Sequence, residues 1–403
     1  LNKNFYILFF LILAIPIFIF PFILSEEFDS EYIIDDFCAD FLNDQFNDLI
    51  FKENFIMISG GCYNIEQLAI RSLLKLKVPV SERIDFELIN IYYDDFEFHP
   101  KIFEYGLTFN IKKFFSIGFL ANPTFYKKDS DFTLNFDFNG FNTKNRVSFT
   151  LENFDNNYSH KNWNEKFLER PRIYENYPLL FTFTSAGKLK DLNFFTFYRK
   201  KFYTKENHYY YSLEDTVWDF SVDTSYDYLF TQLFFQKKKN ENVLSTGLRF
   251  TILNLLNNLY THQDTLTEYD KRFKISYFLS SKKKNHIFNF AYEREIRDII
   301  DILKKDSYLV SFGYSFSKDF YTIDLWEIIS NLDRELTDRP NYNSFQSRIL
   351  LSLKFKIKEN TYFVARKGFE SDIRDIKKGG RYFWYDKMYV QFYSDFDIFL
   401  KRK

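Results

Sequence analysis

The side chains equipped for chemistry are few and scattered. Five histidines, His99, His160, His208, His262 and His286, lie far apart, and no two share the spacing that lets a helix offer a pair of imidazoles to one metal ion. Two have a carboxylate nearby in sequence, His160 with Asp155 and His262 with Asp264, the pairing that tunes an imidazole as a general base. A histidine in a polar loop is ordinarily a solvated side chain, and the sequence assigns no catalytic group. Cys38 and Cys62 form neither a C-x-x-C nor a zinc-type spacing, although in an oxidising compartment they could be joined as a disulfide. Glycine-rich phosphate loops, the H-E-x-x-H helix and the G-x-S-x-G elbow are all missing, which removes the strong catalytic motifs. The runs Lys237–Lys239 and Lys282–Lys284 are only three cations long; polar turns explain them without a nucleic acid. We therefore expect no enzyme activity, no metal, no cofactor and no nucleic-acid partner.

What must position the remaining polar groups is read from composition and period. Lys plus Arg (54) and Asp plus Glu (55) balance to a net charge of −1, so no global field steers the chain toward polyanions. Aromatics make up 22% of the chain, while Gly and Pro number only 11 and 8, which disfavours collagenous, linker-rich and disordered classes. Phe, Tyr, Ile, Asn and Lys all rise together under AT-rich coding, so the placement of the aromatics carries more than their number.

At the amino end, Phe5 to Leu24 hold no charge, with Lys3 before them and Glu26, Glu27 and Asp29 after. This is the polarity of an export segment, and Phe5 to Ile15 form its uninterrupted apolar core. We expect residues 1–25 to be a cleaved signal peptide, with a retained anchor as the alternative. From Ser30 to Ile50, Ile34, Phe37, Cys38, Phe41, Phe46 and Leu49 alternate with five aspartates at helical spacing, predicting an amphipathic helix with an acidic face. Asn64 and Gln67 have capping-box spacing ahead of Leu68, Leu73 and Leu74, a second helical signal. Residues 26–69 are thus expected to be a helical periplasmic or plug segment.

Past residue 83 the period becomes 2. Phe103, Tyr105, Leu107, Phe109 and Ile111 share one face, and Glu104, Thr108, Asn110 and Lys112 the other,. The same alternation runs through Phe132–Asn139, Leu244–Ile252, Phe273–Ser280, Ser307–Phe316 and Arg348–Lys358. Connections alternate too. Tight polar turns occur at Ser81–Arg83, Lys112–Lys113, Asn139–Asn145, Gly187–Asp191, Lys237–Asn242, Ser281–Asn285, Ser317–Asp319 and Lys358–Asn360. Between them lie longer polar stretches at Asn122–Ser130, Asp155–Tyr177, Asn257–Asp270, Arg297–Asp306, Asn331–Ser344 and Glu370–Arg381. Short turns at one end and long loops at the other belong to an up-and-down membrane barrel, whose two rims face different compartments.

On these features the chain resembles porin-type outer-membrane β-barrels of Gram-negative bacteria, over residues 70 to 403 and at the level of pattern. The fold expected is all-β, a transmembrane up-and-down antiparallel β-barrel of about 16 strands (16 to 18), preceded by the short helical segment. If the apolar set faces lipid, the alternating set must turn inward, because Lys or Arg on the lipid face near mid-membrane costs about 2 to 4 kcal/mol. Glu104, Asn135, Asp137, Arg146, Arg249, Lys274, Arg348 and Lys354 are then the candidate pore lining. Their mixed sign predicts weak ion selectivity. The resemblance implies a location in the outer membrane and partnership with its lipid, its assembly machinery and small hydrophilic solutes diffusing through the lumen. A plugged barrel serving surface binding or envelope assembly, and a secreted soluble all-β binding protein, are the alternatives.

Overall fold

The computed structural model of the chain describes residues 55–63, 68–94, 102–122, 131–140, 142–152, 172–176, 178–211, 216–239, 241–262, 264–300, 303–336, 339–358, 361–372 and 387–395. The expected signal peptide and acidic helix lie outside the described residues. Those described are almost entirely strand: β1 (Phe55–Tyr63), β2 (Leu68–Pro79), β3 (Ile84–Asp94), β4 (Ile102–Lys112), β5 (Phe115–Asn122), β6 (Asp131–Gly140), β7 (Thr143–Leu151), β8 (Arg172–Tyr174), β9 (Leu179–Leu189) and β10 (Leu192–Tyr211). They continue as β11 (Thr216–Lys239), β12 (Asn242–Thr261), β13 (Thr265–Lys283), β14 (His286–Ile299), β15 (Leu303–Lys318), β16 (Tyr321–Leu336), β17 (Arg339–Lys358), β18 (Thr361–Asp372) and β19 (Lys387–Asp395).

Each strand pairs antiparallel with its sequence neighbour, except that β7 pairs directly with β9 while the three-residue β8 attaches to the far end of β10. β1 pairs with β2 on one side and β19 on the other, Ile56 opposite Asp395. The ladder therefore returns to its start. Leaving out β8, the ring among the described residues holds eighteen strands, which meets the even number that an all-antiparallel ring demands, and no strand is left as a free edge.

Eighteen is the upper end of the range expected rather than the sixteen read from the turns. The difference lies at the amino end. β1 and β2 belong to the ring, so the barrel starts at Phe55, upstream of the boundary expected near residue 70, and the helix signalled from Asn64 gives way to strand from Leu68. Helical spacing of Leu68, Leu73 and Leu74 loses to pairing with strands on both sides, a tertiary override of a local signal. All eight tight turns fall at one rim, the one from which β1 departs and at which β19 finishes. Asn142, Lys190 and Lys284 take left-handed φ values of 64°, 53° and 53° in three of them, as reversal within a few residues requires.

At the opposite rim several expected loops are strand instead. Asn257–Asp270, Arg297–Asp306 and Asn331–Ser344 are largely absorbed into β12 to β17. A tilted membrane crossing needs only about 9 to 11 residues, whereas β11 has 24 and β12 and β17 have 20 each. The long strands stay paired as hairpins, with polar contacts such as Arg294 Nη2 to Asp306 Oδ2 at 2.8 Å and the Tyr203 and Tyr260 hydroxyls donating to Asp223 Oδ2 at 2.7 and 3.0 Å.

The faces divide as the period demands, with burial inverted from that of a soluble protein. Phe103, Leu107, Phe288, Phe312 and Leu325 are exposed on the outside, while Thr108, Asn135, Asp270 and Glu295 are buried on the inside. No helix among the described residues is long and apolar enough to cross a membrane; crossing falls to the strands. Two measurements test this. The protein extracted from membranes should migrate faster in SDS before boiling than after. Phe312→Arg, at the middle of the outer face of β15, should lower unfolding free energy in lipid vesicles by about 2 to 4 kcal/mol, and a loss near zero would remove lipid from that face.

Candidate functional site

The inner face is the candidate site, and its charges come from positions of one parity. In β3, Ile84, Phe86 and Leu88 alternate with Asp85 and Glu87, of which Asp85 is 5% and Glu87 0% exposed. Burial on that scale obliges each carboxylate to find donors. Asp85 accepts from Asn110 Nδ2 at 2.7 Å and Glu87 from Thr108 Oγ1 at 3.0 Å, both on the adjacent β4.

Glu87 also meets Arg146 of β7, Nη1 to Oε1 at 2.9 Å and Nη2 to Oε2 at 3.0 Å. The same guanidinium grips Asp137 of β6 through Nε at 2.6 Å and Nη2 at 2.9 Å. Four ladder spacings of about 4.8 Å separate β3 from β7, farther than an arginine and a glutamate span between them over a flat sheet. The wall must curl so that the pair bridges a chord of the lumen. Inward glycines permit the curl. A Cβ on Gly106 of β4 would collide with the Phe119 carbonyl, and one on Gly118 of β5 would press within 3.1 Å of Thr108 Oγ1 and 3.3 Å of Asn135 Cβ. Glu104 lies in the same group, accepting from Thr133 Oγ1 at 2.6 Å.

A second charged group occupies β13 to β15. Arg272, Arg297 and Lys305 are successive register partners on three strands, an arrangement of like charges that is unfavourable unless anions intervene. They do so from the neighbouring rows. Asp270 takes Arg297 at 2.8 Å and Arg272 at 3.8 Å, and Glu295 takes Lys305 at 3.0 Å and Arg272 at 3.6 Å. Glu293 takes Lys274 at 2.7 Å and the Ser276 hydroxyl at 2.7 Å.

Of the residues expected to line a pore, Asp137, Arg146 and Glu104 come together, while Asn135 is buried beside Gly118 at 1% exposure. Lys274 joins the second group. Arg249 lies over the Phe278 ring at 5.3 Å. Lys354 stands opposite Thr322 and Val364, and Arg348 holds an inward register position opposite Ile328, its side chain outside those described. Missed were Asp85, Glu87 and Arg199, and the charges of β13 to β15 other than Lys274. Extending the parity of Lys274 back to Arg272 and Asp270 finds two of them, although Asp270 falls in the expected loop Asn257–Asp270 and Arg272 lies just before the alternation read from Phe273. The inner face is not polar throughout. Ala186, Phe195, Phe197, Tyr228, Phe230 and Leu253 form a buried apolar cluster on β9 to β12, at inward positions of the same rows.

Removing Arg146 would strand the buried carboxylate of Glu87 and the half-buried one of Asp137. Arg146→Gln should destabilise the barrel by about 3 to 5 kcal/mol, and Arg146→Gln combined with Glu87→Gln by clearly less than the sum of the single changes. Urea unfolding of the four proteins in vesicles reads the coupling, and strict additivity would mean that the bridge does not form.

No protein-family model matches the sequence, and no curated protein matches it. Solved structures similar to it include OccAB3 of Acinetobacter baumannii (TM-score 0.45, 10% identity, covering 84% of this chain and 97% of that one) and the outer membrane protein OprD of Pseudomonas aeruginosa (TM-score 0.43, 7% identity, 85% and 92%). OmpT, an outer membrane protein of Vibrio cholerae, is also similar (in its loop L8 deletion form, TM-score 0.36, 7% identity, 84% and 97%).

Proposed function

We propose that this chain is an outer-membrane channel through which small hydrophilic solutes diffuse passively, without a chemical step. The observation that carries the reading is the segregation of charge: acids and bases of both signs on the enclosed face of a closed barrel, against an outer face of exposed Phe, Leu and Ile. An enclosed polar face gives water and solutes a path that the apolar exterior denies them. Glu104, Asn135, Asp137, Arg146, Arg249, Lys274, Arg348 and Lys354 are proposed to line that path. Lipid is the expected partner of the outer face, and the outer-membrane assembly machinery the partner that inserts it.

The tight burial of Glu87, Thr108, Asn135 and Asp270 favours one second reading, a lumen occluded at rest by a plug. Residues 26–69 are expected to be a periplasmic or plug segment, and β1 and the start of β2 take Phe55–Tyr63 and Leu68–Ala69 of it into the wall. Purified protein in planar bilayers should give discrete conductance steps with weak preference between cations and anions. Deleting residues 26–50 should leave those steps unchanged for an open channel and raise them for a plugged one. A heat-modifiable barrel that inserts, yet conducts neither whole nor deleted, would overturn the channel.

A further inference from the structure

The rim of tight turns is rich in cations, and several of them face the mouth of the lumen. Lys188, Lys238, Lys282 and Lys356 are exposed there, and by parity they continue the inward rows of Ala186, Gln232, Lys274 and Lys354. Deeper in the lumen Lys274, Arg297 and Lys305 are each matched by a carboxylate. At the mouth the four lysines form no ion pair among the described residues. The acids of these turns, again among the described residues, are Glu82, Asp191, Glu241 and Asp319, against runs such as Lys237–Lys239 and Lys282–Lys284. Where β7 and β9 reach the rim, Asn142, Lys144, Lys188 and Lys190 line a cavity of about 550 Å³. A carboxylate entering it would take charge-assisted hydrogen bonds from the lysines.

One segment of the chain answers this charge in sign, position and reach. Glu26–Asp48 contains nine acids and no Lys or Arg. In the antiparallel pair of β1 and β2, Phe55 stands opposite Leu76, close to the turn at Ser81–Arg83, so the polypeptide preceding Phe55 joins the barrel at the cationic rim itself. Strands about 4.8 Å apart and tilted about 40° close eighteen-fold into a ring about 36 Å across,. At about 3.3 Å per residue, the stretch from Glu26 to Phe55 is long enough to reach any point of that rim. Tethering gives local concentrations on the order of millimolar, an advantage that neither a second copy nor a separate acidic protein has. Lipid headgroups are kept from the four lysines by their inward parity.

We propose that the acidic segment Glu26–Asp48 docks on the inward lysines at the tight-turn rim of its own barrel, with carboxylates seated in the cavity of Lys144, Lys188 and Lys190. The docking rests on the closed barrel and is independent of whether the barrel conducts.

A water-soluble carbodiimide, which joins a carboxylate to an amine in direct contact, tests this on the full chain in zwitterionic detergent. Cross-linked peptides should connect acids of Glu26–Asp48 to Lys144, Lys188, Lys238, Lys282 or Lys356, with the exposed pair Lys200 and Asp227, 3.1 Å apart, as the internal standard. Their yield should fall at least about fivefold between about 50 and about 500 mM NaCl, as screening shortens the reach of the attraction. In a Cys62→Ser background, a fluorophore on Cys38 should lose anisotropy when Lys188→Gln, Lys238→Gln, Lys282→Gln and Lys356→Gln are combined. Heat-dependent mobility checks that this variant folds; should it not, the cross-links of the unaltered protein still decide. Segment links to other sites alone, or none while Lys200 and Asp227 are joined, would overturn the docking. So would links found only between copies carrying different nitrogen isotopes, which would assign the rim to a second chain, or rim lysines shielded from acetylation only by phosphatidylglycerol vesicles, which would assign it to lipid. Bilayer conductance keeps the two readings apart: steps without the links leave the channel and remove the docking, whereas links without steps leave a docked segment on a barrel that does not conduct.

Discussion

A strand set in hydrocarbon has no water to satisfy its N–H and C=O groups, so every one of them must find another strand. That requirement shapes the rest of the molecule. It forces the sheet to close, which here happens through the pairing of β1 with β19. It leaves β8, outside the ring, as a three-residue attachment to the far end of β10. Because all backbone groups are used in the ladder, the side chains are left to divide strictly by parity, and a single-residue shift would turn both faces inside out.

With parity fixed, the interior becomes an electrostatic problem. Some inward positions on β3 and β6 are acidic and several on β13 to β15 are basic, and none can turn away. The barrel resolves this in two ways. On one wall it bends until Arg146 reaches across three intervening strands to Glu87, using glycines where a side chain would obstruct the bend. On the other it staggers acids between rows of bases, so that Asp270 and Glu295 are each shared by two cations. The aromatic cluster of β9 to β12 between these walls needs no counter-charge, and Arg199 at its margin is the place where neither solution is applied.

Much of the architecture is legible in the sequence because period and turn chemistry are local properties. Phe103 to Ile111 alternate visibly, and each of the eight tight turns is marked by a short polar run. The amino-terminal strands are not legible in this way. Gly60 and Gly61 interrupt the alternation of β1, and β2 carries leucines at a spacing that suits a helix equally well. The outer extensions of β12 to β17 were hidden for another reason: polar residues outside the apolar band look the same in a loop and in a hairpin standing in water. The candidate site was read by sign and parity, which found Asp137, Arg146 and Lys274. Glu87, the second partner of Arg146, is not legible in this way, since nothing in one dimension brings β3 to β7.

The first and last strands of the ring lie side by side, and their ends emerge together at the rim of tight turns. The circle thus has no privileged beginning. A chain spliced across that junction and cut instead between Lys284 and Asn285 would wind the same strands in the same register, with its new ends at the same rim. The order in which the strands are synthesised is in that sense incidental to the finished wall, and circular permutation becomes a way to vary the sequence of assembly while every hydrogen bond of the product is kept.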